Sequence, residues 1–175
     1  MNYATIKWTD IANGEGVRIS LFVSGCTHRC KNCFNVVAWD FSYGQPFDEA
    51  TQEQILTELG SSFIAGVSLL GGEPLEPQNQ VALYPFIKKI KARYPEKTIW
   101  CYTGFVFDEQ TGDLREKHKN TEVTKDLISL FDVLVDGPYV EDLHNIRLKF
   151  RGSSNQRVID VQKTLEKGEC VLYME

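Results

Sequence analysis

The sequence contains no run of about 18 or more apolar residues, the length that crosses a bilayer as a helix. Its first residues, MNYATIKWTD, lack the basic patch and following apolar stretch that mark a secretory signal. No internal repeat or low-complexity segment interrupts the 175 residues. These absences predict a cytoplasmic protein without a membrane span, and the length predicts one domain over residues 1–175.

Basic residues are fewer than acidic residues, and the cysteines do not form an even set. The 19 basic and 24 acidic residues leave a net charge of −5. Nucleic-acid-binding surfaces usually carry a basic stripe, so we expect no nucleic-acid partner. The cysteine count is five, and a disulfide framework needs an even number. In a reducing compartment, clustered cysteines indicate metal or redox chemistry instead.

Apolar, β-branched runs alternate with amphipathic stretches along most of the chain. The runs predict strands at 17–25, 65–74, 97–104 and 133–138, with a weaker fifth at 157–161, and the stretches predict helices at 47–60, 79–95 and 124–132. Such alternation is typical of an α/β fold with right-handed crossovers. Four or five units are too few to close an eight-stranded barrel. We therefore expect an open, partly curved sheet of mostly parallel strands.

The most unusual residues follow the predicted strands. A cysteine loop comes after the first strand, GGEP after the second, YTG after the third and DGP after the fourth. In open α/β sheets the active site lies at the carboxyl ends of the strands. The sequence therefore predicts one site at this edge, bordered by all four segments.

Three cysteines, Cys26, Cys30 and Cys33, lie within the loop at residues 25–35. A zinc site of these thiols and His28 is possible, although His28 stands only two residues from Cys26 and Cys30. A redox pair of Cys30 and Cys33 leaves Cys26 unexplained. A [4Fe–4S] cube held at three corners fits better, because its fourth iron stays open for a ligand.

The spacing CxxxCxxC, followed by GGEP, resembles the radical S-adenosylmethionine (SAM) superfamily. Within that superfamily, the stretches NGEGVRISLFVSGCTHRCKNCFN, GGEPLEPQN, VLVDGPYV and RGSSNQ are similar to the activating proteins of anaerobic ribonucleoside-triphosphate reductase. The similarity runs from about Asp10 to Asn155. Asn32 stands where the superfamily often has an aromatic residue, and Phe34 follows the third cysteine, as in glycyl-radical activases.

The resemblance implies a radical-SAM type fold, an open partial (βα) barrel, and a defined chemistry. Cys26, Cys30 and Cys33 would ligate a [4Fe–4S] cluster whose open iron binds SAM. One electron, implied to come from reduced flavodoxin, would break the S–C5′ bond. The resulting 5′-deoxyadenosyl radical would take a hydrogen atom from a glycine on the large subunit of the reductase.

The resemblance also implies roles for residues in the cysteine loop and at the end of the second strand. Backbone amides near Asn32 and Phe34 would tune the cluster, and Phe34 would either wall the adenine or pack in the core. Gly71 and Gly72 would offer a carbonyl to the SAM ammonium, or would form a plain turn. Glu73 would hold that ammonium or order the loop.

The later segments supply the remaining candidates. Thr103 would contact the ribose or the SAM carboxylate, and Asp136 a ribose hydroxyl or a cation, unless it caps its turn. Arg151 would pair with the methionine carboxylate, whereas Ser153 and Asn155 would meet the adenosyl group. A flexible loop over these last residues is the alternative.

Several other residues are predicted to lie outside the chemistry. Cys101 is predicted to be a buried thiol, and Cys170 is predicted to lie outside the site. His144 has no obvious partner in the sequence. Residues 162–175 are predicted to form a C-terminal tail.

The alternatives for function are another radical-SAM enzyme, such as a formate-lyase activase or a small-molecule enzyme, and a non-enzymatic metal-binding module. The short chain favours a macromolecular partner, because a partial sheet leaves the radical site open at its side.

Overall fold

Eight strands form one open sheet in the computed structural model, which describes residues 1–175. The strands are β1 (Asn2–Asp10), β2 (Val17–Val23), β3 (Gln45–Pro46), β4 (Ile64–Gly71), β5 (Thr98–Tyr102), β6 (Val133–Asp136), β7 (Arg157–Asp160) and β8 (Leu172–Met174). Their order in the sheet is β3-β1-β2-β4-β5-β6-β7-β8. The four α-helices are α1 (Glu49–Glu58), α2 (Pro77–Arg93), α3 (Thr124–Ser129) and α4 (Val161–Lys167).

The strand directions agree with the sequence prediction at the centre of the sheet and differ at its margins. β2, β4, β5 and β6 are parallel neighbours, as the alternation of strands and helices predicts. The outer strands β1, β3, β7 and β8 all pair antiparallel, so the expectation of mostly parallel strands is wrong there. The sequence prediction missed β1 because its residues are only partly buried. It completes the sheet by pairing with the buried strand β2, which a short loop allows.

The helices follow local signals in the sequence. The side chain of Asp48 caps α1 by accepting a hydrogen bond from Thr51 N at 2.9 Å, as predicted. α2 buries Leu83, Phe86, Ile87 and Ile90 as expected, but Val81, also predicted to point inward, is 49% exposed. The tail predicted at residues 162–175 instead forms most of α4 and all of β8. No helix combines the length and the apolar character that a membrane span requires.

The two faces of the sheet have different chemistry. One face packs against the helices in an apolar core that includes Leu21, Leu69 and Cys101. The other face carries a buried polar centre around Arg18, whose guanidinium donates to Ser68 Oγ at 2.8 Å and Thr98 O at 2.7 Å. Burial lowers the pKa of Arg18 to about 10. The fork of donors on one side chain joins β2, β4 and β5 near their amino ends, and so fixes their register.

Candidate metal centre

A cavity of about 580 Å³ lies at the carboxyl ends of the four parallel strands. The residues that border it include Cys26 after β2, Gly72 after β4, Thr103 after β5 and Gly137 after β6. Its volume is in the range of small-molecule sites. The structure therefore brings the four chemistry-bearing segments of the sequence together at one place.

The cysteine loop bends so that its three thiols line this cavity. Cys26 is buried, whereas Cys30 and Cys33 are half-buried, and none of them forms a disulfide. Arg29 and Asn32, which directly precede the second and third cysteines, adopt left-handed φ values of 55° and 58°. Residues other than glycine seldom take this conformation. These two turns redirect the chain before each cysteine, which explains how the cysteines of one short loop reach one cavity.

Main-chain amides influence the acidity of two of the thiols. The N–H of His28 acts to lower the pKa of Cys26, and the N–H of Tyr139 acts to lower the pKa of Cys30. Burial raises the pKa of Cys26 to about 12 and also raises the pKa of Cys30, and these amides only partly oppose it. A coordinated cation would offset that cost, because metal binding deprotonates a thiol outright. Tyr139 belongs to the segment after β6, so that segment borders the same cavity as the thiols.

The arrangement fits a cluster better than a single metal ion. One zinc ion would hold its sulfur ligands about 4 Å apart. No three His, Cys, Asp or Glu side chains of the chain converge on such a point. The His28 ring is also engaged, because its Nε2 lies 2.6 Å from Glu73 Oε2. The donor set of three thiols bordering one cavity is the set that an iron–sulfur cube requires.

Glu73 holds the cysteine loop, residues 25–35, against the sheet. Its carboxylate is 1% exposed and accepts hydrogen bonds from Leu75 N, Thr103 Oγ1 and Gly104 N, each at 2.8 Å, besides the contact with His28. Burial acts to lower the pKa of His28, but the hydrogen bond and the charge of Glu73 prevail and raise it. Since both carboxylate oxygens are occupied, Glu73 orders the loop, which was one of its two predicted roles.

A second carboxylate anchors the neighbouring residue of the loop. Glu76 accepts a hydrogen bond from Thr27 N at 2.9 Å and forms an ion pair with Lys119 Nζ at 2.8 Å. Thr27 Oγ1 also contacts the Glu76 carboxylate. Two successive loop residues, Thr27 and His28, are therefore tied to two buried carboxylates that follow β4.

The double glycine after β4 lets the cysteine loop approach. Gly72 N donates to Val23 O and Glu73 N donates to Gly25 O, both at 2.8 Å. A Cβ atom on Gly72 would lie 2.6 Å from Gly25 O. Gly71 has a φ of 111°, and a Cβ there would lie 2.6 Å from Phe22 Cα. The backbone that these glycines approach is thus the chain's own, while the Gly72 carbonyl accepts no hydrogen bond from it.

Three further predicted residues border the same cavity, namely Asn32, Phe34 and Arg151. The Phe34 side chain is 85% exposed, so the alternative that it packs in the core is wrong. Arg151 Nη1 donates to Gln156 O at 2.7 Å, which directs the side chain along its own loop. Thr103 lines the cavity too, but its hydroxyl donates to Glu73 and accepts from Phe105 N.

Asp136, Ser153 and Asn155 do not line the cavity, and their predicted ligand contacts stay predictions. Asp136 is buried and accepts hydrogen bonds from Arg157 Nε at 2.9 Å and from Phe107 N at 2.8 Å. Ser153 accepts from Val140 N at 3.2 Å, and Asn155 donates to Pro138 O at 2.8 Å. These side chains hold the segments after β6 and before β7 together, and so support the wall of the cavity.

The sequence prediction missed several cavity residues. Three buried side-chain polar atoms have no hydrogen-bond partner, and two of them, Trp39 Nε1 and Tyr102 Oη, belong to residues that border the cavity. Strand alternation could have indicated Tyr102, because it places this residue on the face opposite to Cys101. His144 also lines the cavity, with Nδ1 3.0 Å from Gly152 O.

Comparison with known proteins agrees with this geometry. Residues 12–159 match the family model described as a 4Fe-4S single cluster domain. The chain is 42% identical over 158 residues to a protein of Pasteurella multocida (strain Pm70), covering 89% of this chain and 95% of the relative. It is 41% identical over 160 residues to one from Escherichia coli (strain K12), covering 90% and 97%. A relative from Enterobacteria phage T4 is 38% identical over 158 residues, covering 90% and 93%.

All three relatives are named anaerobic ribonucleoside-triphosphate reductase-activating protein. The identities extend over nearly the whole length of both partners and confirm the resemblance found in the motifs. The chain belongs to the family of anaerobic ribonucleoside-triphosphate reductase-activating proteins and contains a 4Fe-4S single cluster domain.

Proposed function

We propose that this protein is a radical-SAM activating enzyme that installs the glycyl radical of anaerobic ribonucleoside-triphosphate reductase. One observation carries the proposal. Three cysteine residues, and no fourth one, border a single cavity at the carboxyl ends of the parallel strands. A structural metal site is closed by its protein ligands and has no need of a cavity of this size.

The cysteines would hold the cluster and leave one iron for SAM. Cys26, Cys30 and Cys33 supply three thiolates, and no fourth cysteine borders the cavity. When bound, the cluster and SAM would supply the one-electron chemistry that removes a hydrogen atom from a glycine Cα of the reductase. The protein supplies orientation, hydrogen bonds and exclusion of water.

The remaining residues would bind and orient these groups. The main-chain N–H groups of His28 and Tyr139 favour the thiolate forms of Cys26 and Cys30, and hydrogen bonds from such groups would tune the potential of a cluster. The free carbonyl of Gly72 can accept from the SAM ammonium, and the Arg151 guanidinium can pair with its carboxylate.

The open sheet suits a macromolecular substrate. We propose that residues 1–175 act as one radical-SAM domain of the partial-barrel type, in which the unclosed side admits a polypeptide segment of the large reductase subunit. Reduced flavodoxin is the electron donor that the family resemblance implies. Thr103 would position Glu73 rather than contact SAM, because both hydrogen bonds of its hydroxyl group are made within the chain.

Anaerobic reconstitution tests the proposal. We expect about four irons and four sulfides per chain, and release of 5′-deoxyadenosine from SAM under dithionite. Adding the reductase should produce a glycyl-radical doublet in the electron paramagnetic resonance spectrum. A colourless zinc protein that leaves SAM intact would refute the proposal, and a doublet produced only with a formate-lyase would identify a different substrate.

Matched cysteine variants test the ligand assignment. Cys26→Ala, Cys30→Ala and Cys33→Ala should each abolish SAM cleavage, because each removes one of three ligands. Cys101→Ala and Cys170→Ala are controls, since neither residue borders the cavity. Equal loss of activity in Cys170→Ala would show that the ligand set is wrong.

A further inference from the structure

The most exposed large apolar side chains of the protein are concentrated around the cavity. Ile146 is 89% exposed, Phe34 85% and Ile11 75%, followed by Phe63 at 63%. Single exposed apolar residues are common on protein surfaces and need no explanation. Here, however, the three highest values belong to three separate segments of the chain, and all three segments border one cavity.

Each of the three residues either lines the cavity or lies close in sequence to residues that line it. Ile11 directly precedes Ala12 and Asn13, which line the cavity, and Phe34 lines it itself. Ile146 stands between the lining residues His144 and Leu148. The β1–β2 loop, the cysteine loop and the segment before β7 thus each carry one exposed apolar side chain that lines the proposed radical site or lies within two residues of its lining.

The proposed chemistry requires this border to be covered during the reaction. A carbon radical must be kept from solvent, and the sheet by itself does not close around the cavity. Hydrogen transfer from a glycine Cα also requires the partner's backbone to enter the cavity. The residues flanking that glycine must then lie against the segments that form the border. Apolar side chains at these positions would both bind the partner and exclude water.

We propose that Ile11, Phe34 and Ile146 form an apolar rim that binds the glycine-bearing segment of the reductase and seals the cavity. The proposal rests on the proposed function and adds the surface by which the substrate is recognised. The occupant is the glycine-bearing loop of the reductase, whose apolar side chains cover the rim while its glycine enters the cavity. A second copy of this chain or an electron-transfer protein is the competing occupant.

Substitutions at the two rim residues without a proposed cofactor contact test this surface. Ile11→Ser, Ile146→Ser and the double variant are compared with Phe63→Ser, whose side chain directly precedes the amino end of β4, opposite to the cavity. The reconstituted proteins, with SAM present, are titrated with the reductase under anaerobic conditions. Each rim variant should weaken Kd about tenfold and the double variant about 100-fold, whereas Phe63→Ser should bind as the unmodified protein does.

Further measurements separate the possible outcomes. SAM cleavage under dithionite without the reductase should be equal in all variants, and sedimentation should show the same oligomeric state. Unchanged reductase affinity in the double variant would overturn the rim proposal. The rim proposal would also be overturned if the variants changed only the self-association of the protein. The same holds if they lost activity only when flavodoxin replaces dithionite as the reductant. If the unmodified protein fails to cleave SAM, the proposed function falls. Weakened reductase binding by the rim variants would then still support the docking surface.

Discussion

Replacing Gly104 with alanine should break the contact that ties His28 to Glu73. A Cβ atom at Gly104 would lie 2.7 to 2.9 Å from three atoms of the His28 ring. Gly104 is not among the residues with positive φ, so its backbone accepts an alanine without strain. The effect of Gly104→Ala should therefore arise from the contact with the imidazole.

The His28 ring has little freedom to avoid the added methyl group. Its centroid lies 4.4 Å from that of Phe105, and its Nε2 lies 2.6 Å from Glu73. If the ring stays, overpacking costs about 1–3 kcal/mol. If it moves, the protein loses a hydrogen bond to a buried charged group, which contributes about 1.5–3 kcal/mol. Either response predicts a loss of about 2 kcal/mol in the free energy of unfolding.

A double-mutant cycle with His28→Ala isolates this contact. Removing the imidazole makes room for the methyl group, so Gly104→Ala should cost less than about 0.5 kcal/mol in the His28→Ala background. Urea unfolding of the cluster-free proteins under anaerobic, reducing conditions measures these differences. Iron content after reconstitution measures the second consequence, because a loop released at His28 presents Cys26 and Cys30 less well. We expect Gly104→Ala and His28→Ala to lower the iron content in parallel.

Two results would refute this reasoning. Equal costs of Gly104→Ala with and without the imidazole would show that the methyl group does not act through His28. Full iron content in both single variants would show that the anchor at Thr27 and Glu76 suffices to position the loop. In that case the contact between His28 and Glu73 would matter for stability alone.

Three other perturbations have defined outcomes. Asp136→Asn should cost about 3 kcal/mol in urea unfolding, because it breaks the ion pair that the buried Asp136 carboxylate forms with Arg157. Burial acts to raise the pKa of Asp10, but hydrogen bonds, that of Ser20 foremost, lower it below 3.8. Its stabilisation is therefore present above pH 3.8 and lost as pH falls through the lowered pKa, and Asp10→Asn should flatten the acid limb of an unfolding titration. Arg18→Met should destabilise the protein by about 2–4 kcal/mol in urea, since it leaves several buried acceptors unpaired, and unchanged stability would contradict that role.

Local patterns were sufficient to predict the centre of the fold. Apolar runs for β2, β4 and β6, and the cap at Asp48, depend on neighbouring residues and were visible in the sequence. The outer strand β1 was missed because its residues are only partly buried and its pairing depends on a neighbouring strand. Val81 was misplaced because α2 turns that part of its surface to solvent, and helical spacing alone does not define the edge of a buried face.

In the candidate site, too, some residues could be predicted from local sequence and others only from tertiary contacts. The spacing of Cys26, Cys30 and Cys33 indicated a cluster directly, because ligands within one loop need little help from the rest of the chain. Asp136 looked like a ligand because it ends a central strand, but the structure pairs it with Arg157, 21 residues later in the chain. Such a partner is not visible in a local motif.

The sequence by itself determined the cysteine triplet, the glycines that let the loop approach and the strand ends at which the site lies, since each depends on backbone geometry within a few residues. Only the tertiary structure decided that Glu73 binds His28, that Tyr102 and Trp39 border the cavity, and that Ile11 and Ile146 lie next to residues that line it. The physical reason is that the register of the parallel strands sets which loops meet. Residues far apart in the chain become neighbours only once that register is formed.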